Sequence, residues 1–235
     1  MIHSEENAIK ATTWVIVPAY NEEHAVGGVV RALRLEGWRT VVVDDGSTDE
    51  TAAVAARHGA VVLRHAVNVG QGAALRTGFA FVLGLPSARH VVTFDADGQH
   101  SIADLPEVVT PLARGDADVV LGSRFLGASS LNQVPPVRRL ALRAGAAMAR
   151  RSTGLALTDT HNGFRGFTTS ALRRLELHQD RMAHASELLL EIARTRCRVT
   201  EVPVQVIYTA YSLRKGQRLI DAVSILWDQA ISRLR

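Results

Sequence analysis

The chain has 235 residues, of which 47% are apolar and 21% charged, with 18 Gly and 7 Pro. That composition supports a buried core within one large domain and excludes a disordered or collagen-like chain. The net charge of +4 hides a split: up to Leu121, 15 acidic residues face 9 basic ones (net −6), and from Gly122 onward 8 face 18 (net +10).

Of the 27 basic residues, 25 are Arg, the side chain suited to bidentate phosphate binding. Nucleic acid, anionic lipid and nucleoside diphosphate are all admissible partners on charge alone. Codon usage in a GC-rich genome explains the preference for arginine better than its asymmetry. The single cysteine, Cys197, precludes an internal disulfide and points to a reducing compartment, the cytoplasm. The opening MIHSEENAIKATT is acidic and lacks an apolar core, unlike a signal peptide. No apolar run approaches the roughly 18 residues that span a bilayer. Any membrane association is expected to be peripheral, at the inner face of the cell membrane, or through a membrane-protein partner.

In chain order, Thr13 to Val17, Thr40 to Val43, Ala60 to Leu63, His90 to Phe94 and Asp118 to Leu121 are short and Val-rich, as strands buried on both faces should be. Helical patterns fill the gaps at Glu22 to Leu35, Asp49 to His58, Gly72 to Leu85 and Ala103 to Ala113. Ser47 and Glu50 have capping-box spacing before the second of these, and Gly59 follows its end. This alternation predicts a mostly parallel sheet with right-handed crossovers and helices on both faces. After Leu121 the alternation fails. Gly122 to Pro136 reads as loop, Val137 to Arg151 as a basic helix, Phe164 to Thr168 as a strand, Ala185 to Arg194 as a helix and Val199 to Ile207 as a strand. Leu219 to Leu234 reads as a closing amphipathic helix. No linker composition marks a boundary, so residues 1–235 are expected to form one domain, with a nucleotide-binding half up to 121 and an acceptor-side half beyond it.

Chemistry concentrates at strand ends. In VVTFDADGQH, Asp95 and Asp97 sit two apart around Ala96 at the carboxyl end of a buried strand, where open α/β sheets bind ligands. Mg²⁺ or Mn²⁺ prefers oxygen ligands and is typically held by one or two carboxylates plus substrate phosphates, with Gln99 a further oxygen donor. The first strand ends in Pro18-Ala19-Tyr20-Asn21-Glu22 and the second in Asp44-Asp45-Gly46-Ser47-Thr48-Asp49, so three strand ends place polar residues on one edge.

With those elements together, VIVPAYNEE, VVVDDGSTDET, NVGQGAALRTG, FDADGQH, GSRF and DTHNGFR occur in the order and at the spacing of family-2 glycosyltransferases of the GT-A fold. Within that family the chain resembles the polyprenyl-phosphate and dolichyl-phosphate sugar transferases, over most of residues 13–217. The resemblance implies a Rossmann-like α/β fold binding a nucleotide-diphosphate sugar. It implies donor contacts from Pro18, Tyr20, Glu22, Val43 and Asp45, with Asp45 accepting a hydrogen bond from the base. Asp95, Ala96 and Asp97 match the segment touching diphosphate and metal, with Asp97 and Gln99 as ligands and Asp95 nearby. Arg124 matches a donor-binding arginine and Lys215 a lysine that reaches the phosphates, although Thr209 stands where an arginine is expected and Arg214 is its substitute. On the acceptor side, Arg139 aligns beside a lipid phosphate and Arg165 with the arginine after Gly-Phe.

Family members invert the anomeric centre. A polyprenyl phosphate acceptor is already an anion and needs no strong base, whereas the hydroxyl of a lipid-linked saccharide does. Asp159, in DTHNGFR, is the candidate base, with Glu187 behind it. The rival enzyme class, a sugar-phosphate nucleotidyltransferase, calls for a basic Gly-rich loop where PAYNEEHA is acidic. A nucleic-acid-binding module leaves Asp45, Asp95 and Asp97 without a role, so no nucleic acid partner is expected. Leu75 stands where a dinucleotide fingerprint requires its third glycine, and Gly70 and Gly72 suit a tight turn and close packing instead. Asn68 and Arg76 are possible donor contacts, with an exposed helix arginine the plainer reading of the latter. His100, His161 and His184 read as polar packing, and Cys197 as a structural thiol without a basic partner.

Overall fold

The computed structural model describes residues 2–126, 136–160 and 162–207, with side chains described throughout except at 2–4 and 136–144. After a leading helix α1 (Ile2–Thr12) come β1 (Thr13–Ala19), α2 (Val26–Leu35), β2 (Arg39–Asp44), α3 (Thr51–Arg57), β3 (Val61–Arg64), α4 (Gln71–Leu83) and β4 (His90–Thr93). A 3₁₀ turn at Ile102–Asp104 leads into α5 (Leu105–Ala113) and β5 (Val119–Ser123). There follow α6 (Pro136–Thr153), β6 (Arg165–Thr168), α7 (Thr169–Leu172), α8 (His184–Arg194) and β7 (Val199–Pro203). All five strands and four helices expected in the first half are present within a few residues. Helix α1 has no counterpart in the sequence reading; Lys10 pairs with Glu6 one turn before it.

The seven strands form one sheet in the order β3-β2-β1-β4-β6-β5-β7. Every pairing is parallel except those of β6, which lies antiparallel between β4 and β5. Alternate residues feed two apolar layers. Val15 and Val17 of β1 pack with Val26, Val30 and Leu33 of α2, while Ile16 faces the other way toward Ala74, Phe79 and Val82 of α4. Helices therefore cover both faces, and the second half of the chain contributes Leu188 and Ile192 of α8 to the α4 side. Strand β3 departs from the expectation of burial on both faces: it is an edge strand, and Val61 is exposed.

The topology fixes where a ligand can bind. From β1 the chain moves outward to β2 and β3, then returns to place β4 on the opposite side of β1. The carboxyl ends of β1 and β4 thus flank a switch point, the position at which open α/β sheets leave a crevice.

Candidate active site

Three loops at the carboxyl edge are tied to one another. Asn21, in the left-handed region at φ 53, donates its backbone N–H to Ser47 Oγ and accepts the Thr48 N–H on its Oδ1. Thr51 Oγ1 accepts the Glu22 N–H, and Asp49 accepts the Glu23 N–H. These contacts replace the expected capping box. Ser47 is committed to Asn21, and Asp49, not Ser47, takes the N–H of Thr51 at the start of α3. Gly46 (φ +71) allows the third loop to close in, since a Cβ there would stand 2.3 Å from the Val67 carbonyl carbon.

Asp44 and Asp45 diverge, as neighbouring strand-end residues should. Asp44 is fully buried, accepts the Ser47 N–H and pairs with Arg64. Asp45 faces the crevice, where its carboxylate holds His65 Nδ1 at 2.8 Å and the N–H groups of Val69 and Gly70 at 3.0 and 2.7 Å. Its visible work is to fix the NVGQG loop at the rim. Gly70 (φ +121) and Gly72 then let that loop and α4 press against the chain before α8, for a Cβ would stand 2.4 Å from Asp180 O and 2.1 Å from Gln179 O respectively. Arg76 clamps the same contact, bonding Gln179 O and the Asp180 carboxylate.

The loops enclose a cleft of about 750 Å³. Pro18, Tyr20, Glu22, Asp45 and Asn68 line one side, Asp95, Ala96, Asp97 and Gln99 the floor, and Arg124, Asn162, Arg165, Arg181 and His184 the other side. Val43, expected at the donor, is instead in the core among Ile16 and Ala74, because its side chain points into the sheet's α4 face. Asp95 and Asp97 lie just beyond the strand that the sequence places before them. Strand β4 ends at Thr93, and the turn after it carries both carboxylates.

Each carboxylate of the pair is positioned. Asp97 accepts both the backbone N–H (3.0 Å) and Nε2 (2.7 Å) of Gln99, so Gln99 orients Asp97 through its nitrogens. Asp95 bonds His100 Nε2 at 2.9 Å and rests on the backbone of Gly163, where a Cβ would meet its oxygens at 2.6 and 2.7 Å. Burial, then the charges of Asp95 and Glu22, push the Asp97 carboxyl up. Burial pushes Asp95 the same way, but His100, Arg165 and His184 outweigh it and hold Asp95 below the usual carboxylate range. Among the described residues no three His, Cys, Asp or Glu side chains converge to enclose a metal.

The acceptor-side expectations change more. Asp159 is 3% exposed, and both its oxygens grip Arg124, Nε to Oδ2 at 2.6 Å and Nη2 to Oδ1 at 2.7 Å. A carboxylate so held is a structural counter-ion and a poor base. Glu187 is likewise occupied, accepting the N–H groups of His178 and Gln179 at 2.9 Å each. Arg165 does reach the cleft, buried and pinned to the carbonyls of Asn162 and Thr160; burial pushes it down to about 10, against the pull of Asp95 and Asp159. Burial and Arg165 together push His184 down to about 4. Cys197 is buried as expected, yet Arg174 Nη2 lies 3.3 Å from its Sγ. Arg139 belongs to α6, with its side chain outside the described residues. His161, Thr209, Arg214, Lys215 and the Leu219 to Leu234 segment also lie outside them.

Asn162 and Arg181 had no assigned role in the sequence reading, and His184 was read there as polar packing. The chain bends that bring them to Asp95 depend on Gly70, Gly72 and Gly163, whose packing partners lie more than 60 residues away.

Residues 14–176 match the family model for glycosyl transferase family 2. An uncharacterized protein of Methanocaldococcus jannaschii is 35% identical, covering 99% of this chain and 97% of its own. The UDP-N-acetylglucosamine–dolichyl-phosphate N-acetylglucosaminyltransferase of Methanococcus voltae is 30% identical over 91% of this chain and 93% of its own. Among solved structures, glucosyl-3-phosphoglycerate synthase of Mycobacterium tuberculosis with Mg²⁺ and UDP superposes at a TM-score of 0.71, with 22% identity, over 100% of this chain and 82% of that one. The same enzyme with Mn²⁺, UDP-glucose and phosphoglyceric acid gives 0.67 at 21% identity, over 94% and 79%. The family match, the relative at 30% identity and the superposition over the whole chain agree: the chain belongs to glycosyl transferase family 2 and is a glycosyltransferase of the GT-A fold.

Proposed function

We propose that this enzyme transfers a sugar from a UDP-sugar to a polyprenyl phosphate, with inversion at the anomeric carbon and dependence on Mg²⁺ or Mn²⁺, in the synthesis of cell-surface glycoconjugates. The observation that carries the reading is the Asp95–Asp97 pair on the floor of the cleft, held by His100 and Gln99 with Arg165 behind it. The relative from Methanococcus voltae, named for UDP-N-acetylglucosamine and dolichyl phosphate, supports both substrate classes. Complexes with Mg²⁺ or Mn²⁺ and UDP in the structural neighbour support the cofactor.

Asp97, with Asp95 beside it, would hold the cation. The fit rests on the crowded carboxylates: the charge of Asp95 that pushes Asp97 up is the kind of repulsion a bound cation relieves. When bound, the cation supplies neutralisation of the diphosphate's charge. The protein's own groups do the rest. Tyr20, Glu22 and the loop fixed by Asp45 frame the nucleotide side of the cleft. Arg165, pinned in place before any ligand arrives, puts a positive charge close to where the leaving diphosphate gains negative charge. An acceptor phosphate oxygen attacks the anomeric carbon as the bond to the UDP oxygen breaks, and that electron pair leaves with UDP.

Occupation of Asp159 and Glu187 by Arg124 and backbone amides favours a phosphate acceptor over a hydroxyl, because the phosphate arrives already ionised. Work on a lipid acceptor fits peripheral attachment at the inner face of the cell membrane. Among the described residues no helix is long and apolar enough to cross one.

The test is a thermal-shift panel of UDP, GDP and CDP with and without Mn²⁺, followed by transfer of labelled sugar to polyprenyl phosphate and determination of the product anomer. UDP should stabilise the protein only with the cation, and the product should carry the inverted linkage. Stabilisation by no nucleoside diphosphate in the presence of Mn²⁺ would overturn the reading.

A further inference from the structure

Two uncharged polar groups in the cleft are each held by the protein through one atom and offer the other. Asn162 is 3% exposed, and its Oδ1 accepts the Phe164 N–H at 2.9 Å. That bond fixes the amide, so the remaining end is Nδ2, which is buried and has no hydrogen-bond partner. His184 opens α8 at 7% exposure and directs Nδ1 at the Arg181 carbonyl, 2.8 Å away. A carbonyl only accepts, so Nδ1 carries the proton and Nε2 keeps the lone pair. Nε2 takes no partner among the described residues. Burial pushes the imidazole down to about 4, which keeps that lone pair available at neutral pH.

Both groups line the same cleft beside Asp95. Gly163, the next residue after Asn162, abuts the Asp95 carboxylate, and the Asp95 charge acts on His184. Several charged groups around them are engaged: Asp95 with His100, Asp97 with Gln99, Arg124 with Asp159 and Arg165 with the carbonyls of Asn162 and Thr160. A phosphate would satisfy the Asn162 N–H but would set its lone pairs against Nε2. A hydroxyl-bearing ring satisfies both, because each hydroxyl accepts through oxygen and donates through hydrogen. We propose that Asn162 and His184 read the hydroxyls of the transferred sugar, Asn162 Nδ2 donating to one oxygen and His184 Nε2 accepting from an O–H.

The inference rests on the glycosyl-transfer reading and names its sugar subsite. Hydroxyls of a saccharide acceptor offer the same chemistry, so the test must separate the two sources. Calorimetry in the presence of Mn²⁺ would compare UDP with UDP-glucose and UDP-N-acetylglucosamine on the wild type, Asn162→Ser and His184→Phe. Asn162→Ser keeps an uncharged side-chain oxygen to accept the Phe164 N–H and removes the amide donor; His184→Phe keeps the ring volume and removes the acceptor. Each variant should bind UDP within twofold of the wild type and the sugar nucleotide at least tenfold more weakly, with His184→Gln recovering part of the loss. A deoxy-sugar nucleotide lacking the hydroxyl that is read should bind wild type and variant alike.

Equal loss of UDP and UDP-sugar affinity would overturn the inference in favour of a structural role. Unchanged donor affinity with a raised acceptor KM would overturn it in favour of the acceptor. If one variant fails to fold, the other decides. Failure of the wild type to bind UDP with Mn²⁺ would instead strike the transfer reading itself.

Discussion

The Arg124 guanidinium and the Asp159 carboxylate meet in a two-pronged contact, 2.6 and 2.7 Å long, with both side chains nearly free of solvent. The backbone N–H of Arg124 also points at Asp159, and Glu201 braces the N–H groups of Thr158 and Asp159 from the neighbouring strand. The pair therefore welds the end of β5 to the chain that enters β6. Removing one partner leaves a buried charge uncompensated. Asp159→Ala and Arg124→Ala should each cost about 3–5 kcal/mol in denaturant unfolding. The double variant Arg124→Met/Asp159→Leu should recover most of that loss. A fully stable Asp159→Ala that merely loses the acidic limb of its pH–rate profile would restore the catalytic-base role.

Gly163 and Gly72 both forbid a Cβ, for different reasons. At Gly163 the obstacle is the end of the Asp95 side chain; at Gly72 it is the Gln179 carbonyl, which cannot swing aside. Gly163→Ala should leave the thermal midpoint within a few degrees while weakening Mn²⁺-dependent UDP binding at least tenfold, since Asp95 is pushed off its place. Gly72→Ala should show the reverse emphasis, losing about 1–3 kcal/mol of stability through forced backbone shifts. Calorimetry and thermal melts on the two proteins check the contrast.

That contrast also marks what was legible in the sequence. Val-rich strands and their alternation with helices are local signals, and they located β1 to β5. The loops PAYNEE, GSTDET and NVGQG announced themselves through residues that favour turns and caps. What those residues bond to is not local. Ser47 and Glu50 have the spacing of a capping box, yet Ser47 serves Asn21, 26 residues earlier. Asp159 looked like a base awaiting a proton until the fold brought Arg124 against it across 35 residues. The placement of β6 between β4 and β5, antiparallel to both, has no sequence signature at all, and it is this strand that delivers Asn162, Gly163 and Arg165 to the cleft.

His184 makes stability depend on pH in a definite direction. Its folded value, about 4, lies below the model-peptide value of 6.5. The unfolded chain therefore binds the proton more readily, and the stability due to a neutral His184 is fully present above pH 6.5. It is lost as pH falls through 6.5 toward 4, by roughly 3 kcal/mol at the limit. Urea unfolding between pH 7.5 and 4 should show this slope in the wild type and a flatter one in His184→Phe. Identical slopes would mean that His184 is charged in the folded protein.

Asp45 and Asp44 should separate binding from stability. Asp45→Ala frees His65 and the N–H groups of Val69 and Gly70, charge-assisted bonds worth about 1.5–3 kcal/mol each, so the rim loop loosens and UDP binding should fall at least tenfold. Asp44 faces Arg64 and Ser47 away from the cleft, so Asp44→Ala should lower the melting temperature with UDP affinity kept within about threefold. The opposite ranking in calorimetry would reverse the two roles.

The acceptor gives the last prediction. A phosphate monoester has a second pKa of about 6, so its dianion becomes the main species above that pH. If the enzyme relies on that ionisation in place of a protein base, kcat/KM for polyprenyl phosphate should rise through pH 6 and then stay level to pH 8. Asp159→Asn, to the extent that it folds, should keep the same profile. The charge of +10 from Gly122 onward should also draw the protein to anionic lipid, at about 1 kcal/mol per basic residue near the surface. Flotation with anionic liposomes should therefore be strong in low salt, fade by 0.5 M NaCl and be absent with neutral lipid, because screening shortens the reach of those charges to a few ångströms. A profile that rises instead with a protein group that Asp159→Asn abolishes, on saccharide hydroxyls alone and without liposome binding, would replace the lipid-phosphate acceptor with a glycan and leave the family assignment standing.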